Sequence, residues 1–276
     1  MNASLDKSVS EALREAARVA ILPRFAPGRP IDADFKVAGE AVTAADRESE
    51  QILHDRLAAL IPGAHVVGEE AVHFDPALSD LLSQGTCWII DPLDGTGNFA
   101  KGLAPFGMLV ALAEHGRPVA GWIYDPVTDR LCSAHRGRGA FVDGQPFRSP
   151  LRRGGRPTVA VTRLFAQPER RDALIDVLAG RFDVVDSPRC AADQYPRVAA
   201  GGNDATLFTR TIAWDHAAGV VFVEEAGGVA RRQDGTAYHC GAPDSGLVIA
   251  SCQRRWDDVA LCLDTAGVLL AGAHLA

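Results

Sequence analysis

Residues 88–99 read Trp-Ile-Ile-Asp-Pro-Leu-Asp-Gly-Thr-Gly-Asn-Phe: an apolar strand that runs into two carboxylates, Asp91 and Asp94, and then at once into a Gly-Thr-Gly turn. Carboxylates at the end of a buried strand are costly unless hydrogen-bonded or metal-bound. A glycine turn that opens a helix offers free backbone N–H groups to an anion. The segment therefore suits a chain that holds a metal and a phosphate side by side.

Asp-Pro-x-Asp-Gly taken alone is also an ordinary turn, since Pro presets φ and Asp-Gly supplies the bend. Two further acidic sites argue for chemistry. Upstream, His65-Val66-Val67 runs into Gly68-Glu69-Glu70; downstream, Trp214-Asp215-His216-Ala217-Ala218-Gly219 opens an apolar, small-residue helix that reaches Glu225. Dispersed carboxylates completed by water and phosphate oxygens are a sufficient site for a hard cation such as Mg²⁺, without His or Cys ligands.

In this order the motifs resemble the inositol monophosphatase family of Mg²⁺-dependent, lithium-sensitive phosphatases. The match rests on Gly68-Glu69-Glu70, Asp91-Pro92-Leu93-Asp94-Gly95-Thr96, and Trp214-Asp215 followed by Ala217-Ala218-Gly219. Val42-Thr43-Ala44-Ala45-Asp46 with Lys36 upstream, Gly121-Trp122-Ile123-Tyr124-Asp125-Pro126, and Glu225-Ala226-Gly227-Gly228 support it. The resemblance implies a layered α-β-α-β-α sandwich of the inositol monophosphatase and fructose-1,6-bisphosphatase type, an α+β or α/β fold that commonly forms homodimers.

The resemblance also implies roles. Glu69, Asp91 and the carbonyl of Leu93 would hold a first Mg²⁺, and Asp91, Asp94 and Asp215 a second, with two or three ions per subunit. Asp46 and Thr96 would orient and deprotonate the attacking water, Glu70 would support the first metal, and no covalent phosphoenzyme is expected. The Gly95 and Thr96 N–H groups, at a helix beginning near Gly97-Asn98, would bind phosphate. Lys36 is a candidate for neutralising charge near the site. Each has a plainer reading: an isolated acid or lysine is usually a solvated charge, Thr96 suits a helix N-cap, and Asp46 suits the acid of a capping box with Thr43. The eight histidines are read as structural.

The pattern departs from the family around the leaving group. Members acting on inositol phosphates usually carry Gly-Ser-Ala-Ala where this chain has Arg189-Cys190-Ala191-Ala192, and a ring-binding glutamate where it has Phe208. Glu40 replaces a common aspartate, a milder change. Losing a carboxylate that accepts from hydroxyls removes a strong discriminator for a polyol, and Phe208 would favour an apolar face or a stacked ring. Arg189 suits a second phosphate or a carboxylate on the substrate, or an internal salt bridge.

Composition sets outer bounds. The 276 residues are 47 % apolar and carry a net charge of −7, enough for a substantial core and adverse to nonspecific binding of nucleic acid or anionic membranes. The six cysteines show no Cys-x-x-Cys spacing and are read as reduced thiols. With neither a signal-like segment nor a membrane-length apolar run, the expected compartment is the cytoplasm. Helical periodicity from Ser8 to Leu22 and after Thr43, then β-rich pieces between Met108 and Val142, imply an antiparallel half spanning residues 1–150 that carries most metal ligands. Beyond the Gly-rich link at 151–157, alternating strands and helices imply an α/β half spanning 151–276, the two forming one compact catalytic unit.

The expected substrate is a small phosphorylated metabolite, inositol 1-phosphate by default. Fructose 1,6-bisphosphate, histidinol phosphate and adenosine 3′,5′-bisphosphate are the alternatives within the same chemistry. A noncatalytic regulator with a phosphatase fold, binding a protein or RNA, is the alternative of another class.

Overall fold

A computed structural model describes residues 3–31, 34–35, 41–150, 154–162, 168–242 and 246–270. Helix α1 (Ala3–Ala16) continues through a wider turn at Ala17–Ile21 and a tight one at Leu22–Arg24, where Pro23 ends it. A short hairpin, β1 (Asp34–Phe35) with β2 (Ala41–Val42), leads to α2 (Ala44–Ala58). As the sequence requires, Thr43 caps α2 in a capping box with Asp46.

Next come β3 (His65–Gly68), α3 (Glu69–Phe74), β4 (Thr86–Asp94), the single turn α4 (Thr96–Phe99), and a meander of β5 (Gly107–Glu114), β6 (Arg117–Asp125), β7 (Arg130–His135), β8 (Gly139–Val142) and β9 (Gln145–Phe147). These strands pair in chain order from β3 to β9 as one seven-stranded sheet. The β3–β4 pair is parallel and the others antiparallel, so the sheet is not wholly the antiparallel one expected. β3 and β4 run side by side because α3 and the Pro76–Ser83 turns form a crossover between them.

The remainder is β10 (Thr158–Val161), α5 (Pro168–Ala179), β11 (Asp183–Asp186), α6 (Ala191–Ala199), β12 (Ala205–Phe208), α7 (Ala213–Glu225), β13 (Val229–Arg231), β14 (Leu247–Ala250) and α8 (Gln253–Thr265). Its five strands order as β11-β10-β12-β14-β13, parallel around β10 and antiparallel around β14.

Alternation along the strands explains the layers. Trp88 and Ile90 of β4 join Val9, Leu13, Leu53 and Leu57 of α1 and α2 on one face. Ile89 of β4 faces the other way, with Tyr195 and Val198 of α6, Ala217 and Val221 of α7, and Leu247 and Ile249 of β14. On the far side of the second sheet, Val159, Val248 and Ala250 meet Leu174, Leu178, Val259 and Leu263 of α5 and α8. The order is helices, sheet, helices, sheet, helices.

The central layer is thin because its residues are small. A Cβ on Gly121 of β6 would overlap the backbone of Ala218, so α7 lies directly on the sheet. Among the described residues no helix is long and apolar enough to cross a membrane, and the six cysteines are free thiols, four of them buried.

Candidate active site

Flat strands send residues three apart to opposite faces, so Asp91 and Asp94 could not converge on a regular β4. Pro92 lacks the N–H that the ladder needs, and pairing slips there: Asp91 opposes Leu109 while Asp94 opposes Gly107. Three steps on β4 thus match two on β5, and both carboxylates turn to one side.

Gly95 then bends the chain with φ +82°, and an added Cβ would sit 3.0 Å from the Pro105 carbonyl and 3.3 Å from the Cys190 Cβ. Gly95 itself is the cap of α4, and Thr96 is its first residue. The expected helix near Gly97-Asn98 therefore starts earlier and lasts one turn, which leaves little helix dipole for phosphate.

Asp46, at the start of α2, is almost fully buried. Its Oδ2 accepts from the Thr43 N–H and hydroxyl, both at 2.7 Å, while its Oδ1 lies 3.1 Å from the Thr96 Oγ1. Thr96 Oγ1 is also 2.7 Å from the Leu93 carbonyl. A hydroxyl has one proton, so it serves one of these acceptors at a time. Burial, helped by the charge of Glu70 and opposed by the Thr43 and Thr96 hydrogen bonds, raises the Asp46 pKa to about 6.

The other acids press on one another. Burial and then the charges of Glu69, Asp94, Asp215 and Asp46 push Asp91 well above the carboxylate range. Its Oδ1 accepts from the Leu93 N–H at 3.1 Å. Asp94 rises to about 6 through burial, against hydrogen bonds that include Ala192 N–H at 2.6 Å. Glu69 and Glu70 open α3, and Asp215 lies in the first turn of α7.

So many carboxylates on four elements are stable as anions only with cations among them. Every donor is a hard oxygen, which suits Mg²⁺ rather than a thiolate- or imidazole-loving metal. Among the described residues no group of three or more His, Cys, Asp or Glu side chains is already arranged to hold a metal ion.

Nearby His and Cys are spoken for. His216 Nε2 lies 2.8 Å from the Arg210 carbonyl and its Nδ1 2.8 Å from the Tyr195 hydroxyl, an arrangement that makes Nε2 the donor and Nδ1 the acceptor. Burial lowers its pKa to about 4, so the ring is neutral and structural, as read from the sequence. Burial and the charge of Asp94 raise the Cys190 thiol far above its usual range, so Cys190 is a packing residue against Gly95.

At the opposite edge the divergent residues are held differently. Phe208 stacks on Tyr195 at 5.5 Å and meets His216 edge-on at 4.6 Å, so much of the ring expected to face substrate is engaged internally. Arg189 is exposed with φ +59°, a left-handed backbone that glycine adopts more readily than arginine. Lys36 and Glu40 lie outside the described residues.

Two residues that the sequence reading passed over tie the site together. Asn98 donates to the carbonyls of Pro105, at 2.8 Å, and Pro188, at 3.1 Å, strapping the Arg189 segment to the Gly95 turn. Glu50 accepts from the Glu70 and Ala71 N–H groups, each at 2.8 Å. Its place one turn after Asp46 was the available signal.

The model of the inositol monophosphatase family matches residues 3–263. An inositol-1-monophosphatase of Bacillus subtilis is 34 % identical over 193 residues, 68 % of this chain and 71 % of that one. Nus factor SuhB of Escherichia coli K12 is 31 % identical over 203 residues, 72 % of this chain and 74 % of its own. Among solved structures, the extragenic suppressor protein suhB of Bartonella henselae superposes with a TM-score of 0.81 at 24 % identity, covering 95 % of this chain and 98 % of that one. An IMPase of Thermotoga maritima does so at 0.79 and 25 %, covering 96 % and 98 %.

Proposed function

The chain belongs to the inositol monophosphatase family, and from that membership we propose that it is a Mg²⁺-dependent phosphomonoesterase acting on a small soluble phosphate ester. The observation that carries the reading is the slip in β4 that turns Asp91 and Asp94 to one side, within electrostatic reach of Glu69, Asp46 and Asp215.

Glu69, Asp91 and the Leu93 carbonyl would hold one Mg²⁺, and Asp91, Asp94 and Asp215 another; two ions, or three, would serve each subunit. Bound cations neutralise phosphate oxygens and acidify water. The Thr96 hydroxyl receives a proton from the attacking water as it passes its own to Asp46 Oδ1, 3.1 Å away. Asp46 suits this task because a carboxylate with a pKa of about 6 is ionised at neutral pH yet a better base than a free one. Glu70 supports the neighbouring Glu69, and the Gly95 and Thr96 N–H groups approach the phosphate. Attack is direct, without a phosphoenzyme.

Inositol 1-phosphate is the default ester, in keeping with the name of the Bacillus relative. Exposed Arg189, whose guanidinium has no partner among the described residues, favours an ester that carries a second anionic group. Fructose 1,6-bisphosphate and adenosine 3′,5′-bisphosphate meet that condition; histidinol phosphate does not. Homodimerisation, lithium inhibition and a cytoplasmic location complete the proposal.

The relatives named Nus factor SuhB support a second, regulatory reading, against which the charge of −7 counts where the partner is nucleic acid. Phosphate release from these four esters, with and without Mg²⁺ and with Asp94→Asn as control, tests the choice. Mg²⁺-dependent turnover of one ester by the wild type alone is expected. Folded, Mg²⁺-loaded protein that cleaves none would favour the regulator.

A further inference from the structure

The mechanism uses a single side chain of α2, Asp46, yet the same helix face continues. Ser49 Oγ lies 3.4 Å from the Pro92 carbonyl, in the bend between the two aspartates. Glu50, one turn beyond Asp46, is only 7 % exposed. Glutamate is rarely buried without a specific partner, and here the partner is backbone: its Oε2 accepts from Glu70 N–H and its Oε1 from Ala71 N–H, each at 2.8 Å.

Those N–H groups belong to the first turn of α3, whose own cap residue, Gly68, has no side chain to offer them. The glycine is required by the carboxylate that replaces it, because a Cβ at Gly68 would overlap all three carboxyl atoms of Glu50. The cap is therefore supplied across the fold. A local Ser or Asp would have satisfied the N–H groups equally well without fixing where α3 sits relative to α2.

We propose that Glu50 is a positioning residue that locks the Glu69–Glu70 corner onto α2, so that Glu69 and the Asp46–Thr96 pair keep one fixed relation. The inference rests on the metal-dependent reading above. Losing the clamp lets the corner drift and weakens cation binding without removing a ligand. Partners that orient metal ligands typically influence affinity by about 10–100-fold.

The test is Mg²⁺ titration calorimetry on the full chain without ester, for wild type, Glu50→Gln and Glu50→Asp. Glu50→Asp preserves the charge but is too short to reach both N–H groups, so it separates position from electrostatics and serves alone if the Gln variant does not fold. Both variants are expected to bind Mg²⁺ about tenfold more weakly. Glu50→Gln should be non-additive with Glu69→Gln and additive with Asp215→Asn.

Affinity lost in Glu50→Gln but retained in Glu50→Asp would make the effect one of charge and overturn the proposal. Lower melting points with unchanged Mg²⁺ affinity would reduce Glu50 to a helix cap and overturn it too. A wild type that binds no Mg²⁺ would sink the metal reading and this inference together. Absent ester hydrolysis with Mg²⁺ affinities as expected would count only against the phosphatase reading.

Discussion

The two edges of the site are built on opposite principles. On the α2 edge, Asp46, Glu50 and Gly68 are buried and bound to backbone or to one another. On the α6 edge, Arg189 stands in solvent on a backbone it fits poorly, and Phe208 replaces an expected acid. The two edges meet at Asp94, whose Oδ2 accepts from Ala192 N–H at 2.6 Å. Under the proposed function, the contrast separates the edge assigned to moving protons and charge, where small displacements are costly, from the edge assigned to the alcohol being released.

Removing the base should break the α2 edge most severely. Asp46→Asn is expected to lower kcat by about 10²–10⁴-fold, the usual worth of a general base, measured by phosphate release at saturating Mg²⁺. Stability should move the other way. Folding lifts the Asp46 pKa to about 6 from its ordinary 3.8, so between those values the native state binds the extra proton and stability falls as pH rises. Without cations at pH 7.5, Asp46→Asn should therefore melt a few degrees higher than wild type, with the gain fading toward pH 4. A lower melting point at both pH values would contradict the strain assigned to this edge.

The α6 edge should respond by substrate rather than by rate. Arg189→Ala is expected to cost about 10–100-fold in kcat/KM for an ester with a second anion, the worth of a charge-assisted hydrogen bond. Inositol 1-phosphate turnover should shift no more than about twofold, as for other surface substitutions. An equal loss on both esters would remove the second-anion reading. Where the edges join, Gly95→Ala would place a Cβ 3.0 Å from a carbonyl in a left-handed turn, and should destabilise by about 1–3 kcal/mol in a denaturant titration.

The same division decides what could be read from the chain. The acids were legible because Pro92 and Gly95 punctuate them, and because Thr43 and Asp46 spell a capping box. The five layers followed from the resemblance. The parallel β3–β4 pair was not legible, since pairing direction depends on the crossover path and not on alternation. Nor was the role of Glu50, whose place one turn after Asp46 hinted at the site but whose partners are backbone groups some twenty residues away that carry no sequence signature. The packing of Phe208 was not legible either, because an apolar residue at a pocket position reads alike whether or not it also stacks on neighbours such as Tyr195 and His216.

The smallest expected effect sharpens the contrast furthest. Arg189 adopts φ +59°, where an L side chain is strained by about 1–2 kcal/mol and glycine is not. Glycine also gives the unfolded chain more freedom, which costs the folded state about 0.5–1 kcal/mol. Arg189→Gly should therefore stabilise the protein by less than about 1 kcal/mol while lowering kcat/KM for the doubly anionic ester as far as Arg189→Ala does. An arginine on a backbone that disfavours it is what the second-anion reading would place there. Loss of stability on introducing glycine would mean that the side chain is held by contacts within the protein, and the α6 edge would then be as structural as the α2 edge.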